Sequence, residues 1–454
     1  MAKRTNSSNM KPRLGFKLFF AYVKGFFKHI YLRKLYSLGW ENIPKDCPLM
    51  IVSDHQNTAT DALGFIFSIR NRRNRKTKTV IRADVFYMPV INIIARWIGL
   101  IPAYRMMYEG ADSLSKNTTS IVEISDELLN NGTVVLFPEA GHQEKHWLGR
   151  FSLAYLRFCF ETAKSVHFEK EIYLLPSCNH YSDYAGLQED MIVRFGTPVP
   201  LSPYYELYKT KPWTAQRQVN AAVRQQISDM MLNITDEDNY TAFDYLRNTY
   251  GIRYAADNGF NPTYLPDKLE ADKQLFARLE AAKETQKAEV QQIYDHARQL
   301  EQTEQQYRFK NTEKERHIGQ RIATGAVMLA LFPLFVIALI PNVFIFGIPA
   351  LVKRKFKDMM FHGTVYFVLN ILIILPLTSI AVFRTVYVLC GHWLPALIAV
   401  LCIPLLNLFA VYYNKQLRHD LNEYRYRRLL RKGKINTYVA LKEQLYRTLD
   451  KMVG

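Results

Sequence analysis

The chain has 454 residues, 49% of them hydrophobic and 13% aromatic, which excludes a disordered protein and leaves room for more than one domain. Its net charge of +18 calls for an anionic partner: nucleic acid, a membrane surface or phosphorylated substrates. The five cysteines (47, 159, 178, 390 and 402) form no C-x-x-C pair, which argues against a zinc site or a disulfide framework and fits a reducing compartment.

Residues 1–40 carry nine Lys or Arg and no acid. Phe16, Phe19, Phe20, Val23, Phe27, Ile30 and Tyr31 recur at helical spacing, with lysines largely between them. The pattern predicts an amphipathic helix lying in an anionic membrane interface, or else one packed on its own domain. Lys17, Lys24 and Lys28 interrupt the apolar stretch, so it is not read as a secretory signal.

Residues 41–260 are expected to form one domain. Short apolar runs predict strands over 49–54, 77–82, 100–104, 133–137, 171–177 and 191–195. Periodic stretches predict helices over 61–70, 89–98, 111–130, 149–164 and 212–232. The alternation is that of an α/β fold, with a mainly parallel or mixed sheet flanked by helices. In such folds active residues sit in loops at the carboxyl ends of strands.

Residues 261–320 are dominated by Glu, Gln, Lys and Ala and predict a long helical linker, a helical hairpin or a coiled coil with a weak seam through Phe276, Leu279, Val290, Ile293, Ala297, Leu300 and Tyr307, broken at Lys283, Gln286 and Glu304. A C-terminal transmembrane anchor is expected over 321–414. Ile322–Val352, Met359–Phe383 and Thr385–Asn414 are uncharged and each exceeds the roughly 20 residues that span a bilayer. Basic clusters follow at Lys353–Lys357 and in the tail, 415–454. Keeping both clusters cytoplasmic under the positive-inside tendency predicts that 322–352 re-enters, bending near Pro341-Asn342, while the other two segments span.

The chemistry centres on "PLMIVSDHQNTATDALGF". An apolar run reads as a strand that ends just before His55, and a helix begins near Asp61. Two readings are open. Asp61 orients the His55 imidazole and leaves its other nitrogen as a general base. Alternatively, Asp61 caps its helix and His55 is a turn residue.

Downstream stand "WIGLIPAYR", with Gly99, Pro102 and Arg105; "VVLFPEAGH", with Phe137, Pro138, Glu139 and Gly141; and "IYLLPSCNHY", with Pro176. In this order, from about Gly39 to Pro200, the set resembles the four blocks of the glycerophospholipid acyltransferase superfamily, the glycerol-3-phosphate and 1-acylglycerol-3-phosphate O-acyltransferases. The resemblance implies that His55 takes the proton of the acceptor hydroxyl and that Asp61 orients it. It further implies that Arg105 binds the acceptor phosphate, with Gly99 and Pro102 shaping its loop. Phe137, Pro138, Glu139 and Gly141 would hold the acceptor, and Pro176 would shape the pocket. It implies no cofactor, only acyl-CoA or acyl carrier protein as donor, a phosphorylated glycerol as acceptor and membrane lipids as partners, with catalysis on the cytoplasmic face. No covalent intermediate is required, so Cys159 and Cys178 need no nucleophilic role.

Two departures are notable. Five residues separate His55 from Asp61, where most members have four; the longer spacing resembles a subset that includes fungal glycerol-3-phosphate acyltransferases. Ala140 stands where the family usually has glycine. Other signals are weaker. His142 and His146 are four apart but lack a third metal ligand. The basic run Arg70, Arg72, Arg73, Arg75, Lys76, Lys78 and Arg82 reads either as a patch for anionic headgroups or coenzyme A phosphates, or as a solvated loop. No nucleic-acid reading motif is present. Acceptors with a headgroup, an ornithine-type lipid, or a non-catalytic scaffold of the same fold are the alternative readings.

Overall fold

The computed structural model describes residues 14–69, 73, 77–87, 95, 98–104, 113–139, 145–184, 186–311, 316–356 and 360–453. The chain divides into two compact units, one of residues 1–233 with 358–364, the other of residues 234–357 with 365–454.

The first unit is built on a mixed sheet of eight strands among the described residues: β1 Leu32–Leu38, β2 Leu49–Ser53, β3 Thr77–Arg82, β4 Leu100–Ala103, β5 Thr133–Leu136, β6 Tyr173–Tyr181, β7 Glu189–Phe195 and β8 Val199–Pro200. Their order is β1-β7-β6-β2-β5-β3-β4, with β8 also on β6. All pairs are parallel except β6 with β7 and β6 with β8. β2 lies at the centre, and its LMIVS run is wholly buried, as expected of a strand covered on both faces. Helix α1, Leu14–Gly25, precedes the sheet, and α2, Thr58–Ile69, follows β2. α2 comes close to β7 because position 64 has no side chain. A Cβ there would stand 2.3 Å from Met191 Cε and 3.1 Å from Val193 Cγ2.

Several boundaries differ from the sequence reading. The basic segment 1–40 is not one helix. α1 runs on into a π-helical turn at Phe26–Tyr31, and the chain then becomes β1, the sheet edge beside β7. Of the predicted interface face, Phe20 packs on Phe67 of α2, ring centroids 5.2 Å apart, and Val23, Phe27 and Tyr31 are buried, while Leu14 and Leu18 beside that face stay exposed. The helix predicted at 149–164 starts only at Ala154. The one predicted at 89–98 lies mostly outside the described residues. β6 runs four residues past the predicted 177. Pro176 cannot donate to a ladder, but it stands where the neighbour changes: β8 pairs with Tyr173 and Leu174, β7 with Ser177 to Tyr181.

Residues 234–260 fall in the second compact unit. In the second, Tyr240–Asn248 and Tyr250–Asp257 join Leu265–Thr285, Lys287–Tyr307 and the C-terminal helix Asn436–Val453 in a helical bundle. Of the proposed seam, Leu279, Val290, Ile293, Ala297 and Leu300 are buried here and form a core within the chain, while Phe276 and Tyr307 are only partly buried. The break at Gln286 makes a hairpin of the presumed linker.

Among the described residues, three helices are long and apolar enough to cross a membrane: Ile318–Lys353, Met360–Cys390 and Trp393–Arg431. The first is continuous over 36 residues, contrary to the expected re-entrant bend. Pro333, Pro341 and Pro349 lie inside it, and neighbours supply polar partners at its middle. Asn342 Nδ2 donates to the carbonyls of Ala338 and Leu406, and Asn407 Nδ2 donates to Asn342 Oδ1, 2.8 Å away. The turn between the last two helices falls at Gly391, φ 68°, and not at Arg384. Residues 415–431 continue the third apolar helix. The protein is membrane-associated by these helices.

Candidate active site

β2 delivers His55 from the carboxyl end of the central strand, and the first turn of α2 delivers Asp61. The connecting bend folds back as the pair requires: His55 Nδ1 is 2.8 Å from Asp61 Oδ2. The same oxygen accepts the backbone N–H groups of Gln56 at 2.9 Å and Asn57 at 2.7 Å. Oδ1 accepts the Tyr181 hydroxyl at 2.5 Å. Asp61 is fully buried, whereas the His55 side chain keeps 22% of its accessibility. A carboxylate so surrounded by donors is fixed in place. Proton donation from Nδ1 to Asp61 leaves Nε2 as the basic nitrogen. Asp61 is at once a residue of the first turn of α2 and the partner of His55.

Phe137 and Glu139 complete the setting from the end of β5. The Phe137 ring stacks on the imidazole, centroids 4.4 Å apart and planes 21° from parallel. Glu139 is 5% exposed, and both its oxygens are committed. Oε2 accepts the His55 backbone N–H at 3.2 Å and Oε1 that of Gly149 at 3.0 Å. Burial pushes its carboxyl up to about 7, outweighing the two N–H groups that favour the charged form. Pro138 is buried beside it, its carbonyl accepting the Ser152 N–H.

The remaining residues are more remote in role. Gly99 takes φ 93° at the turn into β4, where its carbonyl accepts the Thr79 N–H. Pro102 lies on that edge strand, and its carbonyl accepts the Ser120 hydroxyl. Pro176 is buried in β6 opposite Val52. Arg105, Gly141, Ala140 and His142 lie outside the described residues. His146 is buried with its Nδ1 2.9 Å from the Tyr184 hydroxyl, which also donates to Gln56 Oε1. Cys159 is buried in the core, and burial pushes its thiol far above its ordinary value, so it offers no thiolate.

Sequence reasoning missed Tyr181, and it set Asp54 aside as a poorer partner for His55 because neighbouring side chains on a strand point to opposite faces. Asp54 is fully buried, with Oδ1 accepting from the Ser53 hydroxyl and the Asn179 N–H, and burial followed by the Glu139 charge holds its carboxyl well above the usual range. Both follow from β6 passing beside β2, a long-range pairing with no local signal. The basic run also changes meaning. Arg73 is buried and donates to the carbonyls of Pro44, Cys47 and Asn131, at 2.6 to 2.8 Å. Lys78 pairs with Glu127 and Arg82 with Asp84. Its other members lie outside the described residues.

Comparison with known proteins follows the same lines. The family model described as Acyltransferase matches residues 35–178. Among solved structures, the chain is similar to the 1-acyl-sn-glycerophosphate (LPA) acyltransferase PlsC from Thermotoga maritima. That match has 15% identity and a TM-score of 0.32, and covers 47% of this chain and 78% of the other. None of the curated proteins matches.

Proposed function

We propose that this chain, whose residues 35–178 match the acyltransferase family model, is an acyltransferase of the glycerophospholipid type that acylates the free hydroxyl of glycerol-3-phosphate or 1-acylglycerol-3-phosphate. The observation that carries the reading is the His55–Asp61 contact of 2.8 Å, formed across a five-residue loop and held on all sides by donors. The donor is acyl-CoA or acyl carrier protein, and the catalytic unit faces the cytoplasm, where both are made.

In this mechanism Nε2 of His55 removes the acceptor proton as the hydroxyl oxygen attacks the thioester carbonyl. The tetrahedral intermediate collapses, the C–S bond breaks, and the imidazolium returns its proton to the leaving thiolate. Asp61 stabilises the imidazolium without itself taking the proton, and the Phe137 ring fixes the imidazole plane. Glu139 holds the His55 main chain in place, and Arg105 grips the acceptor phosphate as guanidinium does, through parallel donors. Membrane attachment lets an acyl chain pass from bilayer to site without crossing water.

The test is a panel of phosphorylated glycerols and lysophospholipids offered with labelled acyl-CoA and with acyl carrier protein. Transfer to a glycerol phosphate supports the proposal. Transfer only to a lysolipid bearing a headgroup reassigns the acceptor, and inert wild-type protein favours a scaffold. Protease accessibility of the catalytic unit in sealed vesicles tests its orientation.

A further inference from the structure

The bend between His55 and Asp61 is held by a segment from outside the family-matched region. Met360–Thr364, at the start of the second apolar helix, belongs to the first unit. The Thr364 hydroxyl accepts the Ala59 N–H at 3.2 Å, in the first turn of α2. It also meets the Thr58 hydroxyl in a short contact, and Thr58 Oγ1 donates to the Met360 carbonyl at 3.3 Å. One proton assignment satisfies all three bonds: Ala59 N–H to Thr364, Thr364 O–H to Thr58, Thr58 O–H to Met360.

The neighbouring geometry requires this approach. A Cβ on Gly363 would stand 2.4 Å from the hydroxyl of buried Tyr31 and 3.4 Å from Asn57 Oδ1. Thr58 takes φ 37°, a conformation that strains a β-branched residue and persists only when its surroundings impose it. Thr58 lies in the middle of the stretch whose length departs from the commoner four-residue spacing.

We infer that Thr364 is a positioning residue. It anchors Thr58 and Ala59 so that the longer bend can close and bring Asp61 onto His55. A residue of the membrane-associated helix thereby sets the catalytic geometry. The inference rests on the proposed role of His55 for its kinetic consequence but not for its structural one.

The experiment uses the full-length protein in lipid vesicles, with two readouts. Thr364→Val, which keeps the shape and loses the hydroxyl, is expected to lower kcat about tenfold, the loss of roughly one hydrogen bond, with KM for the acceptor within about twofold. Thr364→Ser should stay near wild type. Thr58→Ala breaks the same chain from the other side, and the Thr58→Ala/Thr364→Val double variant should lose no more than the worse single one. Independently of activity, the peptide spanning 55–60 should exchange its amide hydrogens faster in Thr364→Val and not in Thr364→Ser. Wild-type exchange in the valine variant, equal losses for valine and serine, or additive losses in the double variant would overturn the inference. If the wild type transfers no acyl group, or His55→Ala remains active, the functional reading fails, and the exchange result alone then decides the clamp.

Discussion

Tyr181 donates its hydroxyl to Asp61 Oδ1 at 2.5 Å, on the oxygen that His55 does not use. The tyrosine is buried near the end of β6, and burial, reinforced by the adjacent carboxylate, keeps its hydroxyl protonated far above the usual range. It is therefore a permanent donor that anchors the far side of the carboxylate. Tyr181→Phe keeps the ring and removes that bond. Its kcat is expected to fall about tenfold, with the acceptor KM little changed, as measured by initial rates. Unchanged kcat would make the contact ornamental.

Glu139 supports His55 through the main chain. Glutamine can accept one of the two N–H groups it now serves but presents an amide N–H₂ to the other. Glu139→Gln is expected to cost about ten- to hundredfold in kcat, from the loss of one bond to a charged group. Comparable activity in the glutamine variant would contradict this main-chain role.

The same carboxyl gives a pH dependence of stability. Its value rises from 4.5 unfolded to about 7 folded, so between those values the native state holds a proton that the unfolded state has released. Stability contributed by this group is therefore fully present below pH 4.5 and is lost as pH rises to about 7, by roughly 3 kcal/mol in all. Thermal melting from pH 5 to 8 should fall less steeply in Glu139→Gln than in wild type. Buried Asp54 contributes in the same direction and keeps the slope from vanishing. Parallel curves would contradict the assignment.

Gly64 sets the distance between α2 and the sheet. Gly64→Val is expected to destabilise the protein by about 1–3 kcal/mol, because Met191 and Val193 are fully buried and have little room to yield. Met191→Ala in the same chain should recover part of the loss in a melting experiment.

Arg73 separates structure from lipid binding. Arg73→Ala strands three carbonyl groups and is expected to cost about 3 kcal/mol or more of stability, while binding to anionic vesicles stays at the wild-type level. A binding loss without a melting shift would restore the headgroup reading.

The central strand and the His55–Asp61 pair were legible in the sequence because their signals are local. An apolar run stops at a histidine, and a helix starts at an aspartate. The four blocks in order pointed to the superfamily for the same reason. What local pattern could not carry was everything set by distant pairing. β1 hides in a basic, aromatic stretch whose partner is β7, and Tyr181 reaches Asp61 only because β6 runs beside β2. The prolines at 333, 341 and 349 suggested a re-entrant bend, yet the helix runs on unbroken, with Asn342 and Asn407 supplying polar contacts at its middle. Charge misled in the run around Arg73, where burial against carbonyl groups, invisible in a composition, outweighed the pull of solvent.

The central claim is that the imidazole of residue 55 is the base for acyl transfer. The most direct measurement is the single-turnover rate of labelled acyl transfer to a glycerol-phosphate acceptor by wild type and His55→Ala in the same vesicles, at equal amounts of folded, membrane-bound protein. The account expects the variant to be slower by about 10²- to 10⁴-fold. A variant within a few-fold of wild type would contradict it.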